Sequence, residues 1–115
     1  MAQHLHKLRA IAGRTTIRIV ADIDTGYGNA INVIHAIGEF ERAGASAVVI
    51  EDRTFPKVTC LAADGRQQLL RIEEFQGKIE AALATRRNSN CPVIARTEAL
   101  IPRLGEAEAL DRAQA

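Results

Sequence analysis

The sequence is poor in aromatic residues and carries no strong excess of charge of either sign. Aromatic residues make up 3% of the chain and tryptophan is absent, which argues against a surface that stacks nucleic-acid bases. The formal net charge is +1, whereas binding to nucleic acid or an anionic membrane calls for a strongly basic face. We therefore expect neither a nucleic-acid nor a membrane partner.

Long apolar runs are also absent. No stretch approaches the ~18 apolar residues of a membrane span, and the N-terminal residues lack the pattern of a signal peptide. The two cysteines, Cys60 and Cys91, make neither a disulfide framework nor a zinc site by their spacing. The hydrophobic content of 47% and charged content of 25% are typical of a globular protein. Together these features predict a cytoplasmic protein.

Helix and strand patterns alternate along the chain. Apolar residues at helical spacing predict helices over residues 3–12, 30–43, 71–86 and from about residue 105 onward. Short, nearly continuous apolar runs predict strands buried on both faces at residues 17–22, 46–50 and 92–96. This alternation predicts an α/β fold with parallel strands and right-handed crossovers.

Three parallel strands make an incomplete sheet, because both outer strands expose unpaired backbone groups. A complete (β/α)₈ barrel needs about 250 residues. We therefore predict that residues 1–115 form a single partial (β/α)₈ TIM-barrel domain of about three parallel strands with flanking helices. Such a unit is a fragment, or it completes itself against other copies, which favours a homo-oligomer. The alternative is an inactive truncated remnant or an oligomerising, non-catalytic fragment.

Charged residues follow each predicted strand: Asp22 and Asp24, then Glu51, then Arg96. The carboxyl ends of parallel strands share one edge, which carries the active site in barrels. Alternation along a strand places Asp22 and Asp24 on the same side. Three carboxylates without histidine or cysteine suit Mg²⁺, or Mn²⁺, better than Zn²⁺, and Arg96 suits a carboxylate or phosphonate. The alternative is that these acids only cap helices or remain solvated.

The connection after the first strand contains Gly26, Tyr27 and Gly28. Two glycines separated by one residue let the backbone approach a ligand closely, and the following helix N-terminus favours an anion. A plain tight turn is the alternative interpretation.

The connection over residues 52–70 is much longer than most strand-to-helix loops. It contains Lys57 and Thr59 after a proline. A loop that closes over the sheet edge and brings a cation to it has this character. We therefore predict a gating loop at about residues 52–70, with a disordered surface excursion as the alternative.

Several stretches together resemble the phosphoenolpyruvate mutase/isocitrate lyase superfamily: ADIDTGYGNA, VVIEDRTFPK, and DGRQQLLRIEEFQGKI followed by VIARTEALI. The likeness covers nearly the whole chain and implies a TIM-barrel enzyme that uses Mg²⁺ on a small phosphonate or carboxylate substrate. The lyase branch carries a catalytic cysteine in the motif K-[KR]-C-G-H. The loop here contains FPKVTCL, so Cys60 is not in that motif and a lyase is disfavoured.

The resemblance also implies roles for individual residues. Asp22 would bind the metal, with Asp24 and Glu51 holding metal-bound waters, and Arg96 would bind the anionic end of the substrate. The other implied residues line the pocket or gate it: Gly26, Tyr27, Gly28 and Lys57.

Thr59 bears on the reaction itself. Two residues after the gating lysine, mutases of the superfamily typically have asparagine and hydrolases have threonine. The resemblance therefore implies cleavage of the P–C bond of phosphonopyruvate to pyruvate and phosphate, with phosphoenolpyruvate phosphomutase activity as the alternative. Relatives also contain further strands before and after the matched region, so we expect this chain alone to be inactive.

Overall fold

The computed structural model describes residues 1–55 and 68–115. Helices and strands alternate as predicted, although several begin or end a few residues from the expected positions. The elements are α1 (Ala2–Ala12), β1 (Val20–Asp22), α2 (Ala30–Arg42), β2 (Ala47–Glu51), α3 (Ile72–Thr85), β3 (Val93–Arg96) and α4 (Glu106–Gln114). None of the helices in this described part of the chain has the length and apolar character that a membrane crossing requires.

The strands form one parallel sheet in the order β1-β2-β3, which confirms the predicted α/β arrangement. The register pairs Asp22 with Val49 and Glu51 with Arg96. Paired residues of neighbouring strands point to the same face, and successive residues alternate. Asp22, Glu51 and Arg96 therefore lie on one face near the carboxyl edge.

The opposite face of the sheet carries the core. Ala21, Val48 and Ile50 pack there against buried residues of α1, α2 and α3. The largest buried side chains from α2 include Val33, Ile37 and Phe40. Burial of this apolar surface, at roughly 25 cal/mol per Å², is the main driving force that fixes the helices on the sheet.

Burial of the strands on both faces was predicted, and this is wrong for β1 and β3. Val20 is 57% exposed and Ile94 is 42% exposed, because the described helices pack on only one face of the sheet. Strand β1 also begins at Val20, so the exposed Ile17 lies outside it. Among the three strands of the described residues, β2 has a neighbour on each side and is buried along nearly its whole length.

Helix α3 packs on the core through Phe75, Ile79 and the fully buried Ala82, whereas Leu83 is 42% exposed. The buried face also contains Lys78, which is 2% exposed. A charged residue at the apolar spacing cannot be recognised as buried from its own sequence position, since lysine is among the residues least often buried.

Candidate active site at the carboxyl edge of the sheet

Arg96 joins the acids of the carboxyl edge. Its Nη1 donates to Asp22 Oδ2 at 2.7 Å and its Nη2 donates to Glu51 Oε2. Its Nε forms an ion pair with Glu98 Oε1 at 2.9 Å. The structure therefore brings together three of the predicted site residues, Asp22, Glu51 and Arg96, and adds Glu98.

The ionic state of Arg96 follows from these contacts. Burial alone would lower its pKa, but Asp22, Glu51 and Glu98 together raise the pKa above the ordinary value for arginine. The guanidinium is therefore a permanent cation. Because its two hydrogen-bond acceptors, Asp22 and Glu51, come from β1 and β2, they also fix the plane in which it donates.

Asp24 lies in a turn and not in the strand. Its φ of 53° is in the left-handed region, so the alternation of β1 does not extend to it. Both backbone groups of Asp24 are hydrogen-bonded. Asp24 N donates to Asp22 Oδ1 at 2.9 Å, and Glu51 N donates to Asp24 O at 2.8 Å. Asp24 therefore stays beside the edge through backbone contacts that period-2 reasoning did not foresee.

The acids of this edge do not form a carboxylate cage. Within residues 1–55 and 68–115, no group of three or more acidic, histidine or cysteine side chains is close enough to hold a metal. Glu51 is fully buried and bonded to Arg96, whereas the Asp22 side chain is 46% exposed. Mg²⁺ commonly keeps several waters and uses only one or two carboxylates, so a cage is not a requirement for that ion.

The backbone conformation and close packing on both sides of Tyr27 require glycine. Gly26 and Gly28 have φ values of 83° and 151°, which residues other than glycine rarely adopt. A Cβ on Gly26 would clash with Val33, and one on Gly28 would clash with Asn32. The turn therefore lies directly against the first residues of α2.

The Tyr27 side chain anchors this turn to the helices. Its hydroxyl hydrogen-bonds to His4 Nδ1 at 2.8 Å, and its ring stacks on Phe40 with centroids 6.3 Å apart. Burial raises the pKa of Tyr27, and Asp24 and Asp22 raise it further, to about 12. The phenol is therefore protonated at neutral pH. Part of the increase in its pKa comes from the negative charges of Asp24 and Asp22.

The two ends of the predicted gating loop meet beside this edge. Arg53 pairs with Leu69 in an antiparallel bridge, and Thr54 N donates to Gln68 O at 3.1 Å. Leu70 N donates to Asp52 O at 2.8 Å. Residues 52–54 and 68–70 thus form a closed base for the loop. Lys57 and Thr59 lie outside the described residues.

The Asp52 carboxylate joins several segments of the chain, which was not predicted from the sequence. It is fully buried and accepts hydrogen bonds from Thr97 Oγ1 at 2.8 Å, Glu98 N at 2.9 Å and Arg112 Nη1 at 3.2 Å. Arg112 also donates to Leu70 O at 2.9 Å. The adjacent acids Glu51-Asp52 were visible in the sequence, but the distant partners of Asp52 were not.

Comparison with known proteins places the chain among enzymes. The family model described as phosphoenolpyruvate phosphomutase matches residues 1–115. The chain is 58% identical over its full length to phosphonopyruvate hydrolase of Variovorax sp. (strain Pal2), and 42% identical over 98% of its length to phosphoenolpyruvate phosphomutase of Tetrahymena pyriformis. It spans 40% and 38% of these two relatives.

Solved structures agree with this assignment. A phosphonopyruvate hydrolase in complex with oxalate and Mg²⁺ superposes with a TM-score of 0.89 at 54% identity, over 99% of this chain and 38% of that one. Phosphoenolpyruvate phosphomutase from Streptomyces platensis subsp. rosaceus gives a TM-score of 0.90 at 46% identity, over 96% of this chain and 38% of that one. The three parallel strands correspond to part of a TIM barrel, as predicted. The chain belongs to the phosphoenolpyruvate phosphomutase family, within the phosphoenolpyruvate mutase/isocitrate lyase superfamily.

Proposed function

We propose that this chain carries the metal- and substrate-binding edge of a Mg²⁺-dependent phosphonopyruvate hydrolase. The observation that carries the proposal is the Arg96 guanidinium held between Asp22 and Glu51 at the carboxyl edge. The 58% identity to the Variovorax hydrolase over the whole chain, against 42% to the Tetrahymena mutase, favours hydrolysis over isomerisation. Thr59, where mutases of the superfamily have asparagine, supports the same choice.

The reaction converts phosphonopyruvate and water into pyruvate and phosphate. A bond forms between the water oxygen and phosphorus as the P–C bond breaks. The electron pair of that bond remains on carbon as the enolate of pyruvate, which then takes up a proton. Negative charge therefore grows on both fragments, and groups fixed in place to meet that charge lower the barrier.

In this proposal Asp22 would hold Mg²⁺ directly, and Asp24 and Glu51 would hold its waters. The ion would supply positive charge near the enolate and the transferring phosphoryl group. The half-exposed Asp22 carboxylate is the accessible ligand, while buried Glu51 keeps Arg96 in position. The backbone of Gly26, Tyr27 and Gly28 borders the same turn and would line the pocket.

Arg96 would bind the anionic end of the substrate. Its side chain remains 40% exposed despite three acidic partners, so part of the guanidinium is accessible to a ligand. The three neighbouring acids would repel the carboxylate of a substrate unless a cation accompanies it. This requirement couples the binding of substrate to that of the metal. Lys57 and Thr59, carried on the loop, would cover the pocket and direct water to phosphorus.

The test uses a chimaera, because the chain spans 40% of the Variovorax hydrolase. Residues 1–115 replace the matched segment of that enzyme, and phosphate and pyruvate release from phosphonopyruvate is measured with and without Mg²⁺. We expect Mg²⁺-dependent release of both products. Arg96→Lys should lower kcat/KM by on the order of 100-fold, because lysine cannot reproduce the fixed fork of donors. The exposed Arg103→Lys is the matched control.

Two outcomes would contradict the proposal. A chimaera that folds but releases no phosphate would remove the assignment to a P–C hydrolase. Formation of phosphoenolpyruvate in place of phosphate and pyruvate, detected by phosphorus NMR, would identify the chain as part of a mutase.

A further inference from the structure

Lys78 is a buried amine in a position where an apolar side chain would serve packing better. It lies in the middle of α3, is 2% exposed, and projects from the face that packs on the core. Burial lowers the pKa of Lys78, an effect that Glu74 partly opposes. Removing an amine from water is unfavourable unless its donors are satisfied, so the contacts that Nζ makes explain why a lysine is tolerated there.

Both hydrogen bonds of Lys78 Nζ go to one residue of the turn after β1, which contains Asp24. Nζ donates to Thr25 O at 3.0 Å and to Thr25 Oγ1 at 2.9 Å. Thr25 is itself buried and immediately follows Asp24. The amine therefore fixes both the backbone and the side chain of the residue that follows Asp24 within the turn.

The neighbouring carbonyls of this turn are fixed from other directions. Ile23 O accepts a hydrogen bond from Gly26 N at 3.0 Å, and Asp24 O accepts one from Glu51 N at 2.8 Å. Three successive carbonyls, those of Ile23, Asp24 and Thr25, are thus each bonded to a different donor. Lys78 is the donor from α3, the helix that follows the predicted gating loop.

We propose that Lys78 is a positioning residue that holds the turn carrying Asp22 and Asp24 in the conformation that binds the divalent cation. This inference rests on the proposed function, since it assigns the cation to that turn. Lys78 touches neither metal nor substrate in this account and acts through Thr25. A cleft bordered by Thr54, Leu70 and Lys78 also places the amine beside the base of the loop.

The test is made on the 115-residue chain with Lys78→Met, which keeps the length of the side chain and removes its donors. Amide hydrogen exchange of Gly26 and Glu51 should accelerate about tenfold or more, because their acceptors belong to the loosened turn. The amide of Ile37, one helical turn further along α2 than the residue that contacts Gly26, should be unaffected. Calorimetric titration with MgCl₂ should show Kd raised about tenfold, as for other residues that support a metal ligand.

Two further variants complete the design. Arg87→Met removes an exposed cation near the end of α3 and should change neither exchange nor Kd. Thr25→Val removes only the side-chain acceptor, so its effects should have the same direction as those of Lys78→Met and be smaller. If Lys78→Met does not fold, Thr25→Val decides the question by the same two measurements.

Each result has a defined meaning. Unchanged exchange at Gly26 and Glu51 would overturn the positioning role of Lys78. Faster exchange with an unchanged Kd would overturn the link between this turn and the cation. If the unmodified chain binds no Mg²⁺, the metal site of the proposed function fails, and the exchange measurement alone then decides whether Lys78 positions the turn.

Discussion

Arg96 is the residue at which the charges of the carboxyl edge meet. Its partners come from three segments, and the pairing of Glu51 with Arg96 in the sheet register sets the distance between them. Asp22, Glu51 and Arg96 were predictable as site residues because each follows or ends a strand. The direct pairing of Arg96 with Asp22 and Glu51 was not predictable, because it depends on the strand order.

Lys78 and His4 contact the site, but their contacts could not be predicted from the sequence. Both contact the turn between β1 and α2, through Thr25 and Tyr27, yet nothing in the sequence marks either as a partner of that turn. Lys78 is 53 residues from its partner and His4 is 23 residues from its own. Contacts over such separations depend on how the helices pack, which helical periodicity alone does not specify.

The ionisation of Tyr27 offers a direct test of the charge around the turn. It is the sole tyrosine of the chain, so the ultraviolet absorbance of the phenolate reports it alone. We expect a midpoint of about 12 in the folded chain, against the ordinary 10.0 after denaturation. Because the unfolded chain releases this proton at lower pH, the free energy of unfolding should fall as the pH rises between these two values.

A variant separates the causes of this shift. Burial is the largest cause and Asp24 the next, so Asp24→Asn should lower the midpoint without returning it to the ordinary value. A folded chain with a midpoint near 10.0 would show that the phenol is in contact with water and away from the acids.

At the scale of elements, Asp52 connects the end of β2 to the segment after β3 and to α4. Its carboxylate accepts from Thr97, Glu98 and Arg112, and its backbone carbonyl accepts from Leu70 at the base of the loop. The fully buried carboxylate and the nearly buried Arg112 form an ion pair at 3.2 Å. Removal of one partner from a buried pair leaves the other charge uncompensated.

Asp52→Ala is therefore expected to lower the free energy of unfolding by about 3 kcal/mol. Urea-induced unfolding followed by circular dichroism measures this change. Asp111→Ala, which removes an exposed carboxylate from α4, should change the free energy by less than about 0.5 kcal/mol. Equal effects of the two substitutions would mean that the Asp52 contacts contribute nothing to stability.

The elements themselves were largely predictable. Each helix and strand was anticipated, since apolar spacing near 3.6 residues or continuous β-branched runs identify them. The exposure of one face of β1 and β3 was not anticipated, because burial depends on what covers each face. The loop over residues 52–70 was recognised by its length alone. The pairing at its base rests on backbone hydrogen bonds that the side-chain pattern does not encode.

At the scale of the whole molecule, the family was recognisable from motifs spread over nearly the entire chain, and the comparisons confirm it. The hydrolase activity, a homo-oligomeric assembly and a cytoplasmic location stay predictions. The structure shows Arg96 as a fixed cation beside a tightly hydrogen-bonded turn that contains Asp24. That this edge binds Mg²⁺ stays a proposal.

Calorimetric titration of the chain with MgCl₂ tests this account most directly. We predict saturable binding of one ion to the unmodified chain and to Asp111→Asn, and loss of that binding in Asp22→Asn, because Asp22 is the accessible ligand. Equal binding by Asp22→Asn and the unmodified chain would place the ion elsewhere and contradict the account.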